Sequence, residues 1–381
     1  MADGGAPRGE ILSVGTELLL GEIVDTNAAF LAGELSALGV EVGGARQLAD
    51  DRVALREALA EARARASLVV VTGGLGPTHD DVTREALADA LGESLTVDPA
   101  VEAALRERFR RIGPMPERNL RQAMRIPSAE ALPNPIGSAP GWWVDRDDRV
   151  VALLPGVPSE MRRMWSEQVV PRLPPRFELR PLHRRVVRCF GLGESAVAAL
   201  LGELLDGSDP DAGIYARDDG IHVRFSTRGD PAALDRCVGE AVALLVDDVY
   251  STDDDGLADV ALAALGRRGV STVASRETGS GGALLSILAD VPAREGAAQF
   301  VGGTLDRGGA PARQPVADVM LTLHLGTVGR SGVTRASIGL QGVLGEHATD
   351  ARVFGSGPQR LRRGAFAAVD ALRRIATARR N

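Results

Sequence analysis

The run Val69-Val70-Val71-Thr72-Gly73-Gly74-Leu75-Gly76-Pro77-Thr78-His79-Asp80-Asp81-Val82-Thr83 places glycines and two adjacent carboxylates where a β-branched segment gives way to a helical one. Glycine lets the backbone approach a ligand closely, and free N–H groups near a helix start favour anionic oxygens. Asp80 and Asp81 alter that chemistry. Two carboxylates repel a bare phosphate but suit a divalent cation that bridges carboxylate and phosphate. The plainer reading is a tight turn with Thr78 or Asp80 capping the helix. The glycines, the acid pair and the exit of a buried strand together favour a site.

A second stretch, Gly15-Thr16-Glu17 followed by Gly21-Glu22-Ile23-Val24-Asp25-Thr26-Asn27, leaves the apolar run 11–14. Glu17, Asp25 and Asn27 are candidates for a hard-cation or ribose site, and Asp25, Thr26 or Asn27 reads equally as a helix cap. Two Pro/Gly-rich loops follow, 132–141 and 153–160. Their prolines fix φ, so Ser138, Ser159, Glu160 and backbone such as that of Gly156 can be held around a ligand or can serve as scaffold turns.

The elements that must position these residues alternate. Strand patterns at 11–14, 40–45, 68–72 and 150–154 are interleaved with helical patterns at 25–38, 52–65 and up to 91, and another begins at 158. Further helical patterns lie near 98–112 and 117–124, and 126–141 reads as a loop. Such alternation predicts an α/β domain, a doubly wound and mainly parallel sheet covered on both faces, over residues 1–170. A Pro-rich stretch, 171–182, reads as a linker to a small α+β module ending at 253, with a hairpin signal at Arg217-Asp218-Asp219-Gly220. An acidic run at 253–255 then opens an α/β domain over 254–381, with strands near 270–274, 318–324 and 334–340 and a final helix near 358–374.

Composition excludes several classes. A chain of 381 residues, 44% hydrophobic, suffices for two or three cores. A net charge of −7 and 3% aromatics give no case for nucleic acid or membrane as partner. Cys189 and Cys237 match no metal spacing and form no disulfide framework, which, with no apolar run of about 18 residues, leads to the expectation of a cytoplasmic protein. His183, His222, His324 and His347 show no metal-ligand spacing or clustered acid, and Trp142-Trp143 reads as core. All 44 basic residues are arginine, so no lysine amine can serve as base or nucleophile. Arg360 to Arg363 with Arg373, Arg374, Arg379 and Arg380 read as one solvated helix face.

GTELLLGEIVDTN, VVVTGGLGPTHDDVT, ALPNPIGSAPG and LLPGVPSEM, in that order, resemble the CinA (competence/damage-inducible protein) family. Over about 8–170 the likeness is to its molybdenum-cofactor-biosynthesis domain, and residues 183–253 resemble its KH-like middle module. The resemblance implies a metal-dependent pyrophosphatase, using a divalent cation such as Mg²⁺ together with K⁺, that acts on ADP-ribose-like dinucleotides as a homodimer. It implies Asp81, Asp80 and Glu17 as catalytic groups, with Asp80 and Asp81 on the metal. Gly73, Gly74, Gly76, Thr78, Asn27, Ser138 and Gly156 would then meet the nucleotide.

The last third resembles the family's nicotinamide-mononucleotide deamidase domain with its chemistry altered. The turn reads Arg276-Glu277-Thr278-Gly279-Ser280-Gly281-Gly282, with Thr278 where a nucleophilic serine is expected. The stretch expected to carry a lysine has become Leu305-Asp306-Arg307-Gly308-Gly309-Ala310-Pro311. A hydroxyl is a weak nucleophile without a base, and arginine does not deprotonate. The expectation is a retained fold without deamidase activity; retained activity through altered groups and a non-catalytic nucleotide-binding or scaffold protein are the alternatives.

Overall fold

In the computed structural model, which describes residues 6–111, 113–306, 315–329 and 332–378, the chain divides into two units, 1–182 and 183–381. The first unit begins with β1 (Arg8–Val14), α1 (Thr16–Leu19), α2 (Thr26–Leu38), β2 (Glu41–Leu48), α3 (Arg52–Arg65) and β3 (Leu68–Thr72). It continues through α4 (Thr83–Leu91), β4 (Thr96–Val97), α5 (Pro99–Arg110), a 3₁₀ segment Glu117–Ala123 and β5 (Met124–Arg125). It ends with β6 (Ala129–Leu132), β7 (Gly141–Arg146), β8 (Arg149–Leu154), α6 (Pro158–Met164) and α7 (Leu173–Arg176).

The main sheet has the order β2-β1-β3-β8-β7-β6, and every residue of β3 is buried. β1, β2, β3 and β8 run parallel, while β7 and β6 extend the sheet in antiparallel fashion. Strand alternation divides the core. Ile11 and Val70 face Leu31 and Leu35 of α2 and Met161 and Met164 of α6; Leu12, Val69 and Val71 face Leu55 and Leu59 of α3 and Leu87 of α4. The helices cover both faces, as a parallel sheet requires.

Asp25 caps α2 by accepting from Ala28 N–H at 2.8 Å, so neither Thr26 nor Asn27 is the cap. Part of the expected loop 126–141 is the hairpin strand β6, whose Ala and Glu residues carry little strand signal. Nor do residues 171–182 act as a free linker: Leu173 is buried, and Phe177 and Leu179 pack on the same core. Trp142 and Trp143 are core residues, as expected.

The second unit opens with β9 (His183–Cys189), α8 (Glu194–Leu201), β10 (Asp211–Arg217), β11 (Gly220–Thr227), α9 (Pro231–Leu245) and β12 (Val249–Ser251). Its four strands form an antiparallel sheet, β10-β11-β9-β12, with the expected two-residue turn between Arg217 and Gly220. α10 (Leu257–Arg267), β13 (Thr272–Thr278), α11 (Ala283–Ala289), β14 (Gln299–Asp306), β15 (Val319–Leu325), β16 (Val333–Gly342), β17 (His347–Phe354) and α12 (Gly357–Thr377) follow. They build a five-stranded sheet, β14-β13-β15-β16-β17, on a core shared by α10, α11 and α12.

The arginine-rich α12 is not simply a solvated face. Arg373 is buried, bonds Asp370 at 2.8 Å and reaches the carbonyls of Asp247 and Val249. Arg374 bonds Asp370, Asp248 and the carbonyl of Phe190. These pairs seat the four-stranded module on α12, which joins into one unit two regions expected to be separate domains. Arg379 and Arg380, and the segment 307–311, lie outside the described residues.

Candidate functional site

The chain turns from β1 toward β2 on one side, while β3 lies on the other, so the crevice beyond their carboxyl ends is the switch point of the sheet. Gly73 leaves β3 at φ +104°, and a Cβ there would lie 2.1 Å from the Val14 carbonyl oxygen. Only glycine lets the ends of β1 and β3 approach so closely. Gly156 joins them: a Cβ on it would sit 3.4 Å from Gly73 Cα.

Asn27 ties these loops together. Its Nδ2 donates to Gly156 O at 2.8 Å and to Thr72 Oγ1 at 3.1 Å, and Thr72 Oγ1 donates to Pro155 O. The amide orientation is fixed, because a flipped oxygen would face the Gly156 carbonyl. Asn27 Oδ1 and the buried Ser13 Oγ are left without partners. Ser13 escaped the sequence reading; its only signal was a hydroxyl inside an apolar strand.

Asp81 gives the glycine loop its shape. Its Oδ1 accepts from Gly76 N–H at 2.7 Å, and its Oδ2 accepts from Thr78 N–H at 2.8 Å and from the Thr78 hydroxyl. A carboxylate offers about four lone-pair sites, so Asp81 is mostly committed to the loop. Arg121 holds the loop from the other side through the carbonyls of Thr78 and Asp81 and a 2.7 Å pair with Glu85. Neither Thr78 nor Asp80 caps α4, whose cap position is Val82.

Asp80 stays exposed. Hydrogen bonding from Thr78 and then from its own backbone N–H holds its carboxyl below the usual aspartate range. Hard oxygens of this kind suit Mg²⁺, which commonly binds through one or two carboxylates plus substrate phosphates. Glu17 is placed elsewhere on the edge: its carboxylate folds over Gly15. Among the described residues no three Asp, Glu, His or Cys side chains converge into a metal cluster. Asp80 is the exposed carboxylate at the loop, while Asp81 already accepts three hydrogen bonds from it.

Arg84 is the most informative residue that the motifs did not reveal. It is only 3% exposed, and its guanidinium donates to Leu75 O at 2.8 Å and Pro140 O at 2.9 Å. Burial pushes its pKa down to about 10. Arg84 thereby links the glycine loop to the 133–141 loop. Asn134 fixes that second loop by donating to Glu160 at 2.7 Å and accepting from Gly137 N–H at 2.7 Å. Ser138 lines a groove of about 330 Å³ between this loop and α5.

In the second unit the altered turn is sealed. Glu277 is buried and accepts from the Ser280 hydroxyl at 2.6 Å, Leu284 N–H at 3.0 Å and Leu285 N–H at 3.0 Å. Gly281 and Gly282, both at positive φ, carry the chain into α11. Ser280 is itself buried, whereas Thr278 ends β13 and is half-buried. His222 does have an acidic neighbour, contrary to expectation: Asp219 Oδ1 lies 3.1 Å from its Nε2 across the hairpin turn.

The first unit is thus a doubly wound α/β domain whose candidate ligand edge is the glycine loop at the switch point. Residues 10–175 match the family described as "Probable molybdopterin binding domain", and 184–247 match the "Damage-inducible protein CinA KH domain". A CinA-like protein of Thermomicrobium roseum is 47% identical over 297 residues, covering 76% of this chain and 72% of that one. One of Deinococcus radiodurans is 45% identical over 302 residues, covering 76% and 73%. The crystal structure of CinA from Thermoplasma acidophilum, 34% identical, covers 44% of this chain and 99% of that one with a TM-score of 0.42. The chain belongs to the CinA-like protein family. Among the described residues no helix is long and apolar enough to cross a membrane.

Proposed function

We propose that the first unit binds an adenine dinucleotide such as ADP-ribose at the switch-point crevice and hydrolyses its pyrophosphate bond with the help of a divalent cation. The observation that carries this reading is the division of labour between adjacent carboxylates: Asp81 holds the glycine loop, while Asp80 is exposed and favoured in its charged form. Gly73, Gly74 and Gly76 supply a backbone surface for phosphate oxygens, with Thr78 at its rim. Gly156 and Asn27, tied by the Asn27 Nδ2 to Gly156 O bond, shape the opposite wall.

A bound cation would supply charge neutralisation on the two phosphates. Asp80 would hold it, Asp81 would keep the loop in register, and Arg121 would keep the Thr78 segment from moving outward. Formation of AMP and ribose 5-phosphate from ADP-ribose by the purified chain, dependent on added Mg²⁺, tests the reading; binding without turnover at any metal concentration would instead favour a nucleotide sensor.

The last third, in this reading, has no deamidase activity. Ser280 donates to a carboxylate already occupied by two backbone N–H groups, and no lysine exists anywhere in the chain. Ammonia release from nicotinamide mononucleotide, abolished by Thr278→Ala or Ser280→Ala, would overturn this part.

A further inference from the structure

A groove in the second unit gathers residues that the sequence presents only as a hairpin turn and a basic helix face. It lies where the 190–194 loop, the β10–β11 turn, β17 and α12 meet, and encloses about 630 Å³. That volume falls within the roughly 300–1,000 Å³ typical of small-molecule sites. One wall is firmly built. Arg374 bonds the carbonyl of Phe190 at 3.1 Å and Asp248 at 2.7 Å, while Phe190 N–H donates to Asp248 O at 2.9 Å.

Three arginines from three different elements line the groove: Arg217 from β10, Arg352 from β17 and Arg363 from α12. Among the described residues none of the three has an ion-pair partner. Arg217 and Arg352 lie near the rings of Tyr215 and Phe354, and Arg363 reaches the Phe354 carbonyl at 3.4 Å. Two acids also line the groove. Asp218 is engaged by Arg362 at 3.1 Å, which leaves Glu194 as the acid facing three unneutralised guanidiniums. Like charges lining one groove repel, and an anion bound among them reduces that repulsion. Beside them the ring of Phe354 is 55% exposed and Phe190 is partly buried. An exposed aromatic next to arginines offers a stacking face for a flat ring and charged donors for a phosphate.

We propose that this groove binds a mononucleotide, its phosphate against Arg217, Arg352 and Arg363 and its base against Phe354 and Phe190. The site belongs to the second unit and is independent of the hydrolytic reading of the first. A mononucleotide, rather than a long polyanion, suits a bounded groove in a chain of net charge −7.

Hydrogen-exchange mass spectrometry on the full chain with AMP as probe tests this, with inorganic phosphate, adenosine and a short single-stranded oligonucleotide as parallel arms. AMP is expected to protect 190–194, 216–221 and 352–363, with phosphate and adenosine each doing so more weakly. In the double variant Arg352→Gln/Arg363→Gln the AMP concentration needed should rise about tenfold or more, since two charge-assisted contacts are lost. Both side chains make few contacts, so the melting temperature should be nearly unchanged and folding can be checked directly. Absence of protection in these segments at millimolar AMP, equal protection in the double variant, or protection by the oligonucleotide alone would each overturn the proposal.

Discussion

Asp81 accepts the Gly76 N–H at 2.7 Å, while a Cβ on Gly76 would stand 2.4 Å from the same carboxylate. The residues are therefore matched: the loop needs a carboxylate at one position and no side chain at the other. Gly76→Ala should force the loop off Asp81, costing about 1–3 kcal/mol as overpacking and weakening nucleotide binding. A melting curve and a titration with ADP-ribose check both effects.

Asp80→Asn and Asp81→Asn should behave differently although the residues are neighbours. Asp81→Asn puts an N–H₂ where one carboxylate oxygen accepted, and should lower stability by about 1–3 kcal/mol. Asp80→Asn should leave the melting temperature nearly unchanged and raise the Mg²⁺ concentration required for turnover. Equal losses of stability in the two variants would contradict the division of roles.

Arg84→Met leaves the carbonyls of Leu75 and Pro140 without their donor, and should cost about 2–4 kcal/mol. Arg84→Lys keeps the charge but cannot reproduce the two-pronged fork, so it should recover only part of that stability. Urea titration of both variants measures the order; a Lys variant no better than Met would show that charge contributes little.

Ser280→Ala removes a hydrogen bond to a buried carboxylate and should cost about 1.5–3 kcal/mol. Glu277→Gln should cost at least as much, because Leu284 and Leu285 N–H groups share that acceptor. Neither should change any ammonia release, which is expected to be absent in the parent chain. Calorimetry and an ammonia assay report the two halves of this prediction.

The switch-point loops were visible in the sequence because their signals are local: a β-branched run, then glycines, then paired acids. The hairpin turn at 217–220 and the buried tryptophans follow from rules of the same short range, whereas the cap of α2 was open among Asp25, Thr26 and Asn27 until the Ala28 N–H singled out Asp25. Arg84, Arg373 and Arg374 were opaque because an arginine is read as surface until tertiary structure supplies carbonyls and Asp370 around it. β14 and β17 were missed for another reason. Gly302 and Gly303 interrupt the first, and the second is a polar, largely exposed edge strand whose pairing with β16 defines it. Whether Asp81 held a loop or a metal could not be read from spacing, since both roles place a carboxylate after a glycine turn.

The most direct measurement follows ADP-ribose by ³¹P NMR with the purified chain, in Mg²⁺ and K⁺ and again in excess EDTA, with Asp80→Asn in parallel. The account predicts that the diphosphate signals give way to two phosphomonoester signals with Mg²⁺, do not change in EDTA, and convert much more slowly in the variant. Undiminished turnover in EDTA, or intact ADP-ribose in Mg²⁺ despite measurable binding, would contradict it.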